Sequence, residues 1–396
     1  MRYVKSFVGF FLVLLMLVIP ASAAVPDRAS IESASLTEYE LLMSSFEQQK
    51  KDGKFSGEYP DWYAGAYIDD SGELVVLVTD YSKDTLALIC SATRSSVNTL
   101  FAPRSLNELM YQQSLMMSKI MSFLRQKMNN SQKLDNKLIF MIDSFVGVGI
   151  SQEDNLIFVE LSNSSQANRD AFTKHISSYP GIEFREVETV DSLEDPVKAE
   201  PRERGIHYQG GYLGILADPA SIGYRARYNG VNGLVTAGHC VTEVGQNIGI
   251  GIVRFKQFSG SLDVAFIELY QGETVSHMTA DGIPMSGYIY DPPENASVYF
   301  RGAATGYMLN GTVASTMYSG IAFDSETHQP VSLSDMLRIN YSNGTTVDGD
   351  SGGLVYIYYN NSYRAVGINH GLPAFLSGSV ATKAANISGV AGITAY

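Results

Sequence analysis

The chain has 396 residues, 45% of them hydrophobic and 17% charged, enough for two or three domains that each bury a core. A net charge of -13 argues against a sequence-independent grip on nucleic-acid phosphates, and two cysteines exclude a disulfide scaffold or a cysteine-based zinc ribbon. The composition is neither disordered nor collagen-like, and 36 glycines with 24 tyrosines lean towards a turn-rich β protein.

Arg2 and Lys5 precede an apolar run from Phe7 to Ile19, which Pro20 closes before the small residues Ala21-Ser22-Ala23. The run is short for a bilayer span of about 20 residues, so residues 1–23 are expected to be a secretory signal peptide. No second run of that kind follows. The mature protein is therefore expected to be secreted, with no membrane segment left after cleavage. Asn-x-Ser/Thr sequons at Asn129, Asn163, Asn295, Asn310, Asn340, Asn343, Asn360 and Asn386 fit a secreted surface, although loops rich in these residues produce sequons by chance.

Residues 24 to about 200 mix two periodicities. Residues 36–51 predict a helix, 73–79 a buried strand, and 106–128 a helix whose methionine stripe is read as packing. Strands at 145–150 and 156–161, a short helix at 168–176 and a strand at 182–187 complete an α+β pattern. Residues 188–204 are acidic, proline-containing and end in Arg202-Glu203-Arg204, as a linker or cleavage site requires. Beyond them helical periodicity nearly vanishes. Short β-type runs alternate with Asn229-Gly230, Asn232-Gly233, Ser259-Gly260, Asn310-Gly311 and Asn343-Gly344, read as hairpin turns of an all-β sandwich or barrel.

Three segments of the β half carry reactive side chains. Leu234-Val235-Thr236-Ala237-Gly238-His239-Cys240 is a strand ending in histidine. Asp263 lies at the head of an apolar strand, and Asp348-Gly349-Asp350-Ser351-Gly352-Gly353 sets a serine among glycines. Singly these read as a core histidine, a turn aspartate and a tight turn. Together they supply the parts of an acyl-transfer site.

The Thr-Ala-Gly-His-Cys and Gly-Asp-Ser-Gly-Gly blocks resemble the chymotrypsin family of serine peptidases, above all its microbial streptogrisin and α-lytic branch. Arg301-Gly302-Ala303-Ala304-Thr305-Gly306-Tyr307 resembles that branch's Gly-x-Thr-Thr-Gly segment, and Trp62-Tyr63-Ala64-Gly65-Ala66-Tyr67 its pro-region. The resemblance implies an N-terminal α+β pro-region, 24–204, followed by an all-β chymotrypsin-like double β-barrel, 205–396. It implies Ser351 as nucleophile, His239 as general base and acid, Asp263 as the orienting carboxylate, and the Gly349 and Ser351 N–H groups as oxyanion hole.

Thr345 falls where the family places the base of the specificity pocket. It brings no charge to pair with Arg or Lys, so a small or aromatic apolar residue is expected at the cleavage position. His370, in Ala365-Val366-Gly367-Ile368-Asn369-His370-Gly371, falls in the pocket wall, where acid-specific relatives carry a histidine. Cys240 lacks the family's partner cysteine and is expected to be a buried free thiol. Arg301 is the candidate cation for Asp350.

The chain is thus expected to be a secreted serine endopeptidase made as a pre-pro-protein, with no cofactor or metal. Its partners would be a polypeptide substrate and its own pro-region, acting as folding assistant and inhibitor of a monomer. The competing reading is an inactive homologue that binds peptides or serves as an adhesin. A lipase or esterase would need a Gly-x-Ser-x-Gly elbow between alternating strands and helices, which this half lacks.

Overall fold

A computed structural model describes residues 27–129, 134–188, 205–213, 219–371 and 378–396. The expected signal peptide and residues 189–204 of the linker lie outside the described residues.

Helix Arg28–Lys51 begins where the Asp27 carboxylate accepts the Ser30 N–H, eight residues ahead of the apolar periodicity. Its buried side is Glu32, Ser35, Leu36, Tyr39, Leu42 and Phe46, and the polar first members hid that side from the hydropathy pattern. Helix Leu106–Met128 starts at its Ser105 cap and buries Leu109, Met116, Met117, Ile120, Met121 and Leu124, so the methionine stripe is core. The other expected elements of this half lie within two residues of their predicted ends. Strands Tyr63–Ile68 and Asn98–Phe101 and helices Lys83–Thr93 and Asn136–Ser144 are additional.

These elements surround two sheets. Tyr63–Ile68 pairs antiparallel with Leu74–Val78, which runs parallel to Asn98–Phe101. Strands Phe145–Ser151, Leu156–Leu161 and Ile182–Glu186 form the second. This one does not stop at the half-way point: Phe145–Ser151 pairs antiparallel with Leu309–Phe323 of the β half, Gly149 opposite Tyr318. The Tyr318 and Phe158 rings fill the space that side chains at Gly147 and Gly149 would need.

In the β half, Ser297–Arg301, Leu354–Tyr359, Ser362–Gly371, Ser379–Lys383, Pro330–Tyr341 and Leu309–Phe323 pair in that order. Ser297–Arg301 also pairs with Leu309–Phe323, which closes the set into a barrel. Strands Gly251–Ser259, Leu262–Leu269, Val231–Thr236, Arg225–Tyr228 and Thr394–Ala395 make the other barrel's main sheet. Its core is Leu213, Ile222, Leu234, Val253, Ala265 and Ile267, whereas Tyr224, Val235, Phe266, Leu354 and Ile368 pack the two barrels together. The α+β half followed by a double β-barrel is the expected architecture.

Asn229-Gly230 makes a two-residue hairpin turn with φ of 50° and 80°. Asn232-Gly233 and Asn310-Gly311, read as turns, lie inside strands Val231–Thr236 and Leu309–Phe323. Glycine is needed there for a different reason: the Ile267 carbonyl at 233 and the Tyr341 and Ile339 side chains at 311 fill the side-chain position. Among the described residues no helix is long and apolar enough to cross a membrane.

Candidate active site

His239 follows strand Val231–Thr236 on a single 3-10 turn, Gly238–Cys240. A side chain at Gly238 would strike the Gln257 carbonyl, so glycine lets the chain turn against the neighbouring strand. Strand Leu262–Leu269 pairs with Val231–Thr236, Ala265 opposite Thr236, and this register sets Asp263 beneath the imidazole. His239 Nδ1 lies 2.7 Å from Asp263 Oδ2, and the His239 backbone N–H donates to Oδ1 at 2.9 Å. The carboxylate is fully buried. Thr382 secures its main chain, accepting the Asp263 N–H at 3.2 Å and donating its hydroxyl to the Asp263 carbonyl at 3.3 Å.

Ser351 sits in a loop between Gly349 (φ 96°) and Gly352 (φ 83°), both in the left-handed region. Ser221 of the other barrel grips this loop, its N–H donating to the Ser351 carbonyl and its hydroxyl to the Gly349 carbonyl, each at 2.8 Å. The Gly352 N–H donates to Asn369 O at 2.7 Å. Gly352 also abuts Thr236 Oγ1 and Ala237 N, the residues leading to His239, so a side chain there would push the loop away. Ser351 Oγ lies beside Gly371, close enough that a Cβ on that glycine would come within 3.3 Å. Among the described residues no hydrogen bond joins Ser351 to His239, and no protein acceptor takes the Gly349 or Ser351 N–H.

Burial opposes ionisation of Asp263, but the His239 charge and hydrogen bonds from two imidazoles outweigh it and hold the carboxyl well below the usual carboxylate range. Burial likewise opposes a charged His239. The Asp263 charge, the adjacent Cys240 thiol and the Asp263 hydrogen bond reverse that and raise the imidazole well above its ordinary value. An ionised carboxylate only accepts, so His239 holds a proton on Nδ1, and once the imidazolium has lost its other proton the neutral ring keeps Nε2 as acceptor.

The second imidazole belongs to His370, whose Nδ1 lies 2.6 Å from the same Asp263 Oδ2. Its ring also meets the His239 ring edge-on at 5.1 Å and Phe258 at 5.9 Å. The residue expected in the specificity wall is therefore turned onto the carboxylate. Thr345 is half-buried, and its hydroxyl finds no hydrogen-bond partner among the described residues.

Two expectations are corrected. Arg301 pairs with Asp281, Nε to Oδ2 at 2.9 Å, and not with Asp350. Asp350 is instead held by the N–H groups of Ala304, Thr305 and Val347 at 2.9–3.0 Å and by the Thr305 hydroxyl. Burial without a cation raises its pKa, with those donors opposing. Cys240 is a free thiol, as is Cys90, but half-buried where full burial was expected. Ser221 and Thr382 carried no signal in the sequence, because isolated hydroxyls belong to no pattern until the chain folds.

Residues 25–100 match the Pro-like N-terminal domain family, and residues 116–187 the Pro-like C-terminal domain family. No curated protein sequence matches this chain. Among solved structures the chain is similar to protease A of Thermobifida fusca, at 20% identity over 48% of this chain and 98% of that one, TM-score 0.39. It is also similar to a chymotrypsin of Cellulomonas bogoriensis (21% identity, 45% and 90%, TM-score 0.34) and to a protease of Nocardiopsis (19%, 48% and 97%, TM-score 0.37). Two Pro-like domains thus precede a double β-barrel, an order that supports the resemblance to chymotrypsin-like serine proteases of the streptogrisin and α-lytic branch with an N-terminal pro-region.

Proposed function

We propose that the chain is a secreted endopeptidase that hydrolyses peptide bonds through an acyl-enzyme on Ser351, made with a signal peptide, residues 1–23, and a pro-region, 24–204, ahead of the peptidase domain, 205–396. The contact between His239 and the buried Asp263 carries the reading. It fixes the tautomer that leaves Nε2 to take the Ser351 proton as Oγ attacks the scissile carbonyl. The Gly349 and Ser351 N–H groups, unused by protein acceptors among the described residues, would receive the oxyanion, a donor pair of which each member is worth about 10²–10³ in rate. His239 then returns its proton to the leaving amine, and water, activated by the same imidazole, releases the acid. Thr345 would form the floor of an uncharged pocket, which favours small or aromatic apolar side chains before the scissile bond. Digestion of a peptide library by the secreted protein, with Ser351→Ala as control, tests this. Cleavage by the wild type alone is expected. A correctly processed wild type that binds peptides without cutting them favours a binding module.

The pro-region would act as folding assistant and inhibitor, a role supported by its strand Phe145–Ser151 extending the barrel's sheet. Slow, non-local strand pairing is what such a template would speed. Glu294 is a buried ionisable group at this contact. Its carboxyl accepts the Gln152 N–H at 2.8 Å, the Glu153 N–H at 3.3 Å and the Ser151 hydroxyl at 3.2 Å. Burial pushes its pKa from 4.5 up to about 8, against the pull of those donors. A group raised in the docked state favours docking below pH 4.5 and loses that contribution as pH rises through about 8. The melting temperature of the full-length Ser351→Ala chain is therefore expected to fall between pH 5 and 8. Adding Glu294→Gln should flatten that fall, and an unchanged slope would refute the assignment to Glu294.

A further inference from the structure

Asp263 Oδ2 serves two rings. His239 Nδ1 stands 2.7 Å away and His370 Nδ1 2.6 Å, both from the one oxygen, while Oδ1 takes the His239 backbone N–H. The three side chains are, by type, a metal-ligand set. The separations argue otherwise: a tetrahedral zinc bonded to N and O at about 2.0–2.2 Å would hold its ligands about 3.3 Å apart, farther than these pairs stand. They are hydrogen-bond distances, and because a carboxylate accepts only, both imidazoles must donate from Nδ1.

We propose, resting on the peptidase reading above, that His370 is a positioning residue: its Nδ1–H pins Asp263 Oδ2 and thereby sets the carboxylate's direction and proton affinity for His239. Three observations support it. The carboxylate is fully buried, so water cannot replace a lost donor. His370 is itself held in place, mostly buried against Phe258, which packs on both imidazoles, at 5.7 Å from His239 and 5.9 Å from His370. Its strand neighbours tie the same segment to the serine loop, Asn369 accepting the Gly352 N–H and Gly371 lying against Ser351 Oγ. One short stretch, 369–371, thus touches the carboxylate and the serine loop together. A single charge-assisted donor on a buried carboxylate also shares its negative charge, so its loss leaves Asp263 gripping the His239 proton too firmly and loosely aimed.

The test compares His370→Phe, which keeps a ring but no donor, with His370→Asn, whose amide N–H stands near the Nδ1 position, both secreted from the full chain. In His370→Phe kcat on a peptide substrate is expected to fall about 10- to 100-fold with KM within about twofold, since the ground-state pocket is untouched. His370→Asn is expected to recover kcat to within about threefold of wild type. Wild-type kcat in His370→Phe, or a folded His370→Asn as slow as the Phe variant, overturns the proposal. A second measurement needs no variant at position 370: proton spectra of ¹⁵N-histidine-labelled protein should show two downfield N–H resonances assigned to Nδ1 of His239 and of His370, apart from that of His207, whose Nε2 lies 2.7 Å from Glu273 Oε2, and absence of the His370 resonance overturns it. A wild type with no peptidase activity but two such resonances would remove the peptidase reading while leaving the shared carboxylate standing.

Discussion

Ser351→Ala and His239→Ala are each expected to lower kcat by about 10⁶, and the double variant by no more than either alone. A serine hydroxyl is too weakly acidic to attack an amide without a base, and an imidazole without a nucleophile has nothing to activate, so the two act as one unit. The structure gives each a separate support. His239 is held by its turn and by two contacts with Asp263, and Ser351 by the Ser221 clamp on the Gly349 and Ser351 carbonyls. Ser351→Ala leaves its supports in place, so its loss should fall on kcat with little change in KM or melting temperature, whereas His239→Ala also removes the imidazole contact with the buried Asp263 and is expected to lower the melting temperature as well. Steady-state kinetics on a chromogenic peptide ester and its amide measure this. Residual activity within tenfold of wild type would take Ser351 out of its assigned role.

Asp263→Asn should be the next largest, about 10⁴ in kcat, the fall expected when a triad histidine is held in the wrong tautomer. The hydrogen-bond pattern says why. If the carboxamide oxygen takes the Oδ2 position, its NH₂ faces the His239 backbone N–H, donor against donor. If it takes Oδ1, the NH₂ faces both Nδ1 atoms, and each ring must move its proton to Nε2 to accept. Either arrangement spoils Nε2 as base or misaligns the ring. The pH profile carries a second signature. The wild-type base works only once the imidazolium has lost its proton, and Asp263 raises that pKa, so kcat/KM should climb with pH and reach half its maximum above 6.5. Without the carboxylate the acid limb should move to lower pH while the plateau collapses. An Asn variant with an unmoved acid limb would mean that Asp263 does not act on His239 through its charge.

The sequence made the three reactive side chains legible because each sits in a block whose neighbours have jobs of their own. Gly238 turns the chain at a carbonyl, Gly349 and Gly352 take left-handed φ, and the apolar run after Asp263 builds a buried strand. The helices and strands of the first half were legible where an apolar run or a helical spacing is unbroken, as at 73–79 and 106–128. They were not where glycine and alanine interrupt the run, as in Tyr63–Ile68, or where a polar face is buried, as at Glu32 and Ser35. What could not be read were partnerships chosen by the fold. Arg301 reaches Asp281 and leaves Asp350 to backbone donors, and His370 turns from the expected pocket wall to Asp263. Both are decided by strand register and side-chain direction, which local pattern leaves open. The same holds for Asn232-Gly233 and Asn310-Gly311, where glycine marks close approach of a neighbouring strand, by its backbone at 233 and its side chains at 311, rather than a turn.

The central claim is that folding makes one serine hydroxyl, at position 351, nucleophilic through His239. A fluorophosphonate probe reacts with an activated serine and ignores the many ordinary ones, so labelling of the processed protein followed by peptide mapping addresses it directly. The account predicts a single adduct on Ser351, abolished in His239→Ala. Processed wild-type protein that takes no label, or takes it on a different residue, would contradict it.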